Sequence, residues 1–355
     1  MTSGELRLLV GTERGLTKHD LVVLGSPDGG ASWSAPQVAI PDVEPHKIRR
    51  GPDGGVYVGT RGNGLFRSPD GLGDWVPIET PPAAQKIRSL CSTDERLLVG
   101  TEAGEAPVGV YAYSEAKGWE TLGDLTSCSG ASDWSYPAPF EDVHVRHLSV
   151  DPYIAGRTYA AVQVGGIGIS PDNGQTWYDR RNLDLDVHMV EPAPGKPGVL
   201  YAGCGQAGSG LWRSTDYGET WDEIAEECGN YVVEFAIDPD DSDLLYLGTA
   251  RTHAPDWPNP GGAKGEMFRS DDGGDTWRKL GGGLPAFMES RINVVYIDPV
   301  DPDNVYFGGG LPSGARKPGI ARDAGVYHSP DRGETWRQIL ALDAGEPLAL
   351  HCIHL

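Results

Sequence analysis

One eight-residue turn recurs along this 355-residue chain, and it constrains the fold more than any other feature. It reads SPDGGASW ending at Trp33, SPDGLGDW at Trp75, SPDNGQTW at Trp177, STDYGETW at Trp221, SDDGGDTW at Trp277 and SPDRGETW at Trp336. A worn copy, SEAKGW, ends at Trp119. The seven units use seven of the ten tryptophans, at spacings of 42, 44, 58, 44, 56 and 59 residues. A period of that size marks a repeat architecture, in which no unit buries its apolar face alone.

Between the turns lie short runs such as LRLLVGT, GVYVGT, RLLVGT, VLYAG, LLYLGT and NVYFGG. They are rich in Val, Leu and Tyr, as half-buried strands require, and no long stretch has helical periodicity. Each unit reads in one order: an apolar strand (HVRHLSV at 144–150), a VYVGT-type strand, a third of the GLFRS type, the turn, and a fourth strand from the Trp. Four antiparallel strands per ~40–45 residues make a propeller blade. The turn explains its own residues: Asp and Ser bond its backbone, Gly takes the strained conformation, and Trp covers the strands.

The expected fold is therefore all-β: a single seven-bladed β-propeller over 1–355, with blades near 44–80, 85–123, 143–182, 184–226, 230–281 and 289–341. The seventh blade joins 346–355 to 1–40. Its innermost strand is LALHCIHL at the C-terminus, and closure removes the exposed edges. A ring closed in this way needs no second copy, so a monomer is expected. The formal charge of −22 argues against nucleic acid or an anionic membrane as partner. No apolar run approaches the ~18 residues of a membrane span. The five cysteines are odd in number and unpatterned, and the first residues carry no signal-peptide pattern, so the cytoplasm is the expected compartment.

The turn resembles the Asp box, or BNR repeat, of sialidases, sortilin-type receptors, xyloglucan-cleaving glycosidases and a photosystem II assembly factor. The resemblance covers nearly the whole chain. It implies that Asp28, Asp70, Asp172, Asp216, Asp272 and Asp331 serve folding on the blade rim, and neither catalysis nor calcium binding. Two departures matter. Sialidases have six blades and a Phe/Tyr-Arg-Ile-Pro element, whereas this chain has seven units and no such tetrapeptide. Xyloglucan-cleaving relatives pair two propellers around a cleft, and this chain supplies one.

In a propeller the starts of the inner strands line the mouth of the central channel. Aligning the units puts Lys47, Lys86, His144, Asp184, Tyr231, Arg291 and Ala349 at one position. Two residues later come Arg49, Arg88, Arg146, Asp186, Val233, Asn293 and His351, with His188 able to shift into the fourth unit's set. A strongly acidic protein thus gathers cations at one opening, and forked guanidinium donors suit carboxylate, phosphate or sulfate. The alternative is that these arginines pair with blade-edge carboxylates and hold neighbouring blades together.

Long connections at 124–142, 250–265 and 309–324 are expected to wall the opening, offering Trp134, Tyr136, His253, Trp257, Arg316 and Arg322. His144, His188 and His351, with Asp184, Asp186 and Glu234 nearby, are candidate ligands for a divalent metal ion, although no short ligand motif supports one. No nucleophile elbow, phosphate loop or dinucleotide fingerprint is present.

Two functions follow from these residues. The first is an intracellular hydrolase or lyase for a small anionic, carboxylated substrate of the sugar-acid type. Lys47, Arg49, Lys86, Arg88, Arg146, Arg291, Asn293 and His351 would bind it, with Asp184, Asp186, Tyr231 and His144 as acid, base or nucleophile. The second is a non-catalytic assembly propeller that holds a partner protein on the same basic face.

Overall fold

The computed structural model describes residues 5–13, 19–136, 142–205, 210–312, 315, 319–343 and 345–355. It contains seven four-stranded antiparallel sheets and only five single-turn 3-10 segments among the described residues. The fold is a seven-bladed β-propeller. No helix among the described residues is long and apolar enough to cross a membrane.

The chain divides into two compact units. His46–Ile224 carries four blades, here I to IV, whose innermost strands are Pro45–Arg50, Ile87–Ser92, His144–Val150 and Val187–Pro192. Met1–Pro45 with Ala225–Leu355 carries three. Blades V and VI start at Tyr231–Ile237 and Arg291–Ile297. Blade VII takes its inner strand, Glu346–His354, from the C-terminus and pairs it with Leu6–Glu13. Glycine lets such sheets pack closely: a Cβ on Gly59 would lie 2.5 Å from Ile87 of the next blade.

The repeated turn is held by its own side chains. In SPDNGQTW, Ser170 Oγ donates to Asp172 Oδ1 (3.0 Å), and the Thr176 N–H and hydroxyl donate to the two carboxylate oxygens (2.8 and 2.7 Å). Asn173 and Gly174 both have positive φ, 61° and 83°, which accounts for the Gly. Trp177 Nε1 donates to Gly174 O (3.2 Å) while its ring is buried between sheets. The same bonds recur at Asp216, Asp272 and Asp331, and at Asp28 with Ser32 in place of Thr. At Asp70 the sixth position is Gly73 and Asp74 precedes the Trp, and only Leu72 N–H and Ser68 Oγ remain as donors. These carboxylates are spent inside their own turns.

The inner strands of blades II to VII each carry a β-bulge just after the start. The ladder skips Arg88, Arg146, His188 and Asn293, skips Val233 and Glu234 together in blade V, and skips Leu348 in blade VII. A bulge leaves a residue unpaired and re-aims its side chain, so five polar residues singled out from the sequence, Arg88, Arg146, His188, Glu234 and Asn293, sit at a bulge.

Candidate functional site

The bulges supply the true alignment of the blades, and it corrects the sequence-based ring in two places. In blade IV the residue opposite the end of the second strand is Asp186 and the bulge is His188. Asp184 therefore falls outside the set, and the shift allowed for His188 is the one adopted. In blade VII the equivalent residues are Glu346 and Leu348. Ala349 and His351 lie further along, as ordinary ladder partners of Gly11 and Leu9. The sequence alignment slipped because apolar runs of equal hydrophobicity cannot register an extra, bulged residue.

In the four-blade unit the polar side chains form one connected cluster. Glu102, 3% exposed, follows the second strand of blade II and collects three cations. Arg61 Nε and Lys86 Nζ donate to it at 2.7 and 3.1 Å, and Arg88 Nη1 at 3.2 Å. Its carboxyl is consequently held below the usual range despite burial, by bonds from Arg61 and the charges of Arg88 and Arg61. Arg88 Nη2 lies 3.1 Å from His144 Nε2. The other ring nitrogen, His144 Nδ1, lies 2.8 Å from Asp142 O. Tyr136, from the insertion after blade II, tilts against the His144 ring at 5.2 Å.

Gln163 faces His144 across the ladder of blade III, with Oε1 3.0 Å from His144 Nε2, and Arg146 Nη1 donates to that oxygen at 2.8 Å. Asp186 Oδ1 is 3.3 Å from His188 Nε2. Burial pushes the Asp186 pKa up, but His188, Gln163 and Arg146 together bring it below the ordinary value, so it is ionised at neutral pH. Asp184 Oδ1 accepts the Asp186 N–H (2.8 Å), a local turn bond. Gly205 backs this pair closely, since a Cβ there would lie 2.2 Å from His188 Cε1.

Lys47 is buried and Arg49 half-buried on blade I, and the Arg49 guanidinium donates to Ile48 O at 2.9 Å. With Arg146 they surround His147, whose pKa burial and these three charges drive well below the ordinary value. Among the described residues neither Arg49 nor Arg146 makes an ion pair within 4.0 Å of a carboxylate. They differ in this from Lys86 and Arg88.

In the three-blade unit Arg291 makes a two-pronged pair with Glu346 (3.1 and 2.8 Å), with its guanidinium 5.0 Å from the Trp257 ring centre. Asn293 Nδ2 donates to Pro347 O at 2.6 Å. Tyr231 is buried edge-on to Trp257 at 5.1 Å, and His351 lies edge-on to Tyr296 at 6.2 Å. Trp257 is 1% exposed, packed with Ala263, Leu311 and Ala315, so it closes a small core and lines no pocket. Arg316 lies outside the described residues; Arg322 is exposed and His253 half-buried. Among the described residues no group of three His, Cys, Asp or Glu is arranged to hold a metal ion. His144 and His188 instead face Arg88 and Asp186.

Sequence reasoning missed Glu102, Gln163 and Glu346. The first two stand at one repeat position, at or just past the end of the second strand, where blade I has Arg61. Polar residues at that position, as in Gly-Thr-Arg and Gly-Thr-Glu, were the available signal.

Comparison with known proteins places this geometry. The sortilin family model (sortilin, neurotensin receptor 3) matches residues 209–345. A xyloglucanase of Paenibacillus sp is 26% identical across 66% of this chain and 29% of its own length. An oligoxyloglucan-reducing end-specific xyloglucanase of Emericella nidulans is 23% identical across 81% of this chain and 39% of its own. The chain resembles the sortilin and xyloglucanase propellers. It spans well under half the length of these two xyloglucanases. Among solved structures, YCF48 bound to a D1 peptide superposes with TM-score 0.57 at 17% identity, covering 87% of this chain and 90% of that one. A putative 6-phosphogluconolactonase from Bacteroides fragilis gives 0.61 at 12% identity, with 99% of each chain covered. These two likenesses are of fold alone.

Proposed function

We propose that the four-blade unit acts as a glycoside hydrolase-like site on a small carboxylated, sugar-acid type substrate in the cytoplasm. Arg146 and Arg49 receive the carboxylate, and ionised Asp186 serves as base or nucleophile, with His188 beside it to exchange a proton. One observation carries this reading: Arg146 is bonded to a neutral amide oxygen and, among the described residues, makes no ion pair with a carboxylate within 4.0 Å. Similarity to xyloglucanases supports the hydrolase class, and five free thiols support a reducing compartment. Lys86 and Arg88 are ion-paired to Glu102 and Arg291 to Glu346, and they act in the blade framework.

That structural use of most of the cations favours a second reading, in which the propeller binds a partner protein and Arg49 and Arg146 take a peptide carboxylate. Calorimetry against a panel headed by D-glucuronate separates the two. The enzyme reading expects binding that weakens at least tenfold in Arg146→Ala, with the melting temperature retained. No binding by any sugar acid would overturn it, and capture of a carboxyl-terminal peptide through Arg146 would replace it.

A further inference from the structure

We infer that His354 and Asp298 form a conformational lock in the three-blade unit, a single side-chain pair that keeps the whole closing strand, Glu346–His354, in its seat. The inference concerns that unit alone and does not depend on the sugar-acid reading. Blade VI receives the closing strand along its length. Arg291 pairs with Glu346 at 3.1 and 2.8 Å, and Asn293 Nδ2 donates to Pro347 O at 2.6 Å. Further along, Tyr296 Oη accepts the Cys352 N–H at 3.3 Å, and His354 Nε2 lies 2.8 and 2.7 Å from the two oxygens of Asp298.

The second strand of blade VI makes room for the same segment. A Cβ on Gly308 would lie 2.6 Å from Pro347 Cβ, and one on Gly310 would lie 2.5 Å from Glu346 Cβ. The seat therefore fits this stretch residue by residue, and every contact requires the strand to be in register. Chain ends fray first unless something ties them down. Here the tie is at the free end. His354 is in register with Leu6, and the Leu355 N–H donates to Glu5 O at 2.9 Å. The Asp298 side chain is 0% exposed and that of His354 32%. Losing the imidazole would leave a buried carboxylate short of a partner, which is costly.

Comparison of the blades shows that Asp298 is put to a different use from its equivalents. Three blades end the inner strand with Asp-Pro, at Asp151, Asp238 and Asp298. In blade III, Asp151 accepts the Tyr153 and Ile154 N–H groups at 2.8 and 2.9 Å and the Tyr159 hydroxyl at 2.9 Å, all from its own blade. In blade V, Asp238 accepts the Asp240 and Asp241 N–H groups of its own turn at 2.9 and 3.1 Å. Asp298 accepts the Val300 N–H at 3.0 Å and turns both oxygens to His354 of the neighbouring blade. A turn that elsewhere closes on itself is here open to the last strand of the chain.

Native-state hydrogen exchange on the full-length protein, read by mass spectrometry fragment by fragment, tests the lock in wild type, His354→Ala, Asp298→Asn and the double variant. Each single variant should exchange about tenfold faster than wild type throughout 348–352, because the freed end lets the strand peel from its seat. The inner strands of blades II and III should keep their wild-type rates. The double variant should exchange no faster than the faster single variant, since both substitutions remove one contact. Acceleration confined to 353–355 would show a local bond with no hold on the strand, and would overturn the lock. Wild-type exchange in both single variants would overturn it as well, as would additive effects in the double variant. Should Asp298→Asn fail to fold, His354→Ala, which alters a part-exposed side chain at the strand end, decides alone by whether the acceleration reaches 348.

Discussion

Glu102→Gln would measure how far the cations are committed to structure. The substitution keeps the shape and one acceptor oxygen, and removes a single negative charge. Three cations then lose their shared partner, but they differ in access to water. The Lys86 side chain is 38% exposed and Arg61 20%, so both can recover hydration. Arg88, at 3%, cannot. Removing one partner of a buried ion pair costs about 3–5 kcal/mol, and an exposed pair under about 1 kcal/mol. Because the amide oxygen still accepts a bond, the lower end applies, ~3 kcal/mol. With about 2.1 cal/mol/K of unfolding entropy per residue over the chain, that is a fall of ~4 °C in melting temperature. Urea and thermal unfolding at pH 7, followed by tryptophan fluorescence, would read it. Glu102→Leu combined with Arg88→Met removes both buried charges and should recover much of the loss. A loss below ~1 kcal/mol for Glu102→Gln would refute the reasoning, because a buried pair of that geometry cannot be broken so cheaply.

Two further outcomes follow from the same structure. Burial, with the charge of Arg337, lowers His328 from 6.5 to about 4. The unfolded chain therefore binds a proton the folded one refuses, so stability should be flat above pH 6.5 and fall by ~3 kcal/mol toward pH 4. Denaturant titrations in that window should lose this slope in His328→Leu, and an unchanged slope would exclude His328 as its source; buried His147 adds to the wild-type fall. Gly205→Ala should displace His188 and Asp186 and weaken D-glucuronate binding at least tenfold, since the new Cβ would sit 2.2 Å from His188 Cε1. Wild-type affinity by calorimetry would show that this pair lies outside the site.

The site was less legible than the fold, and particular residues show why. Arg88, Arg146, His188 and Asn293 were visible because they interrupt apolar strands at a constant place in the repeat. Their meaning was not visible, because Arg88 and Arg146 are alike in sequence and differ in their partners, a carboxylate at Glu102 and an amide at Gln163. Asp184 and His351 were misplaced because a bulge adds a residue without changing the hydrophobic pattern. Trp257, in a Pro- and Gly-rich insertion, looked like a pocket residue until its burial with Leu311 and Ala315 was seen.

The sequence by itself determined the blade architecture. Strand alternation, turn chemistry and the period of the Trp-terminated turn are local, and each repeat states them again, so seven weak signals agree. It also determined the role of the turn aspartates, whose partners lie within four residues. Only the tertiary structure decided which cations are ion-paired, because Glu102 meets Arg61 and Glu346 meets Arg291 across 41 and 55 residues. Electrostatic character depends on distance and access to water in three dimensions, and neither is written in the order of the chain.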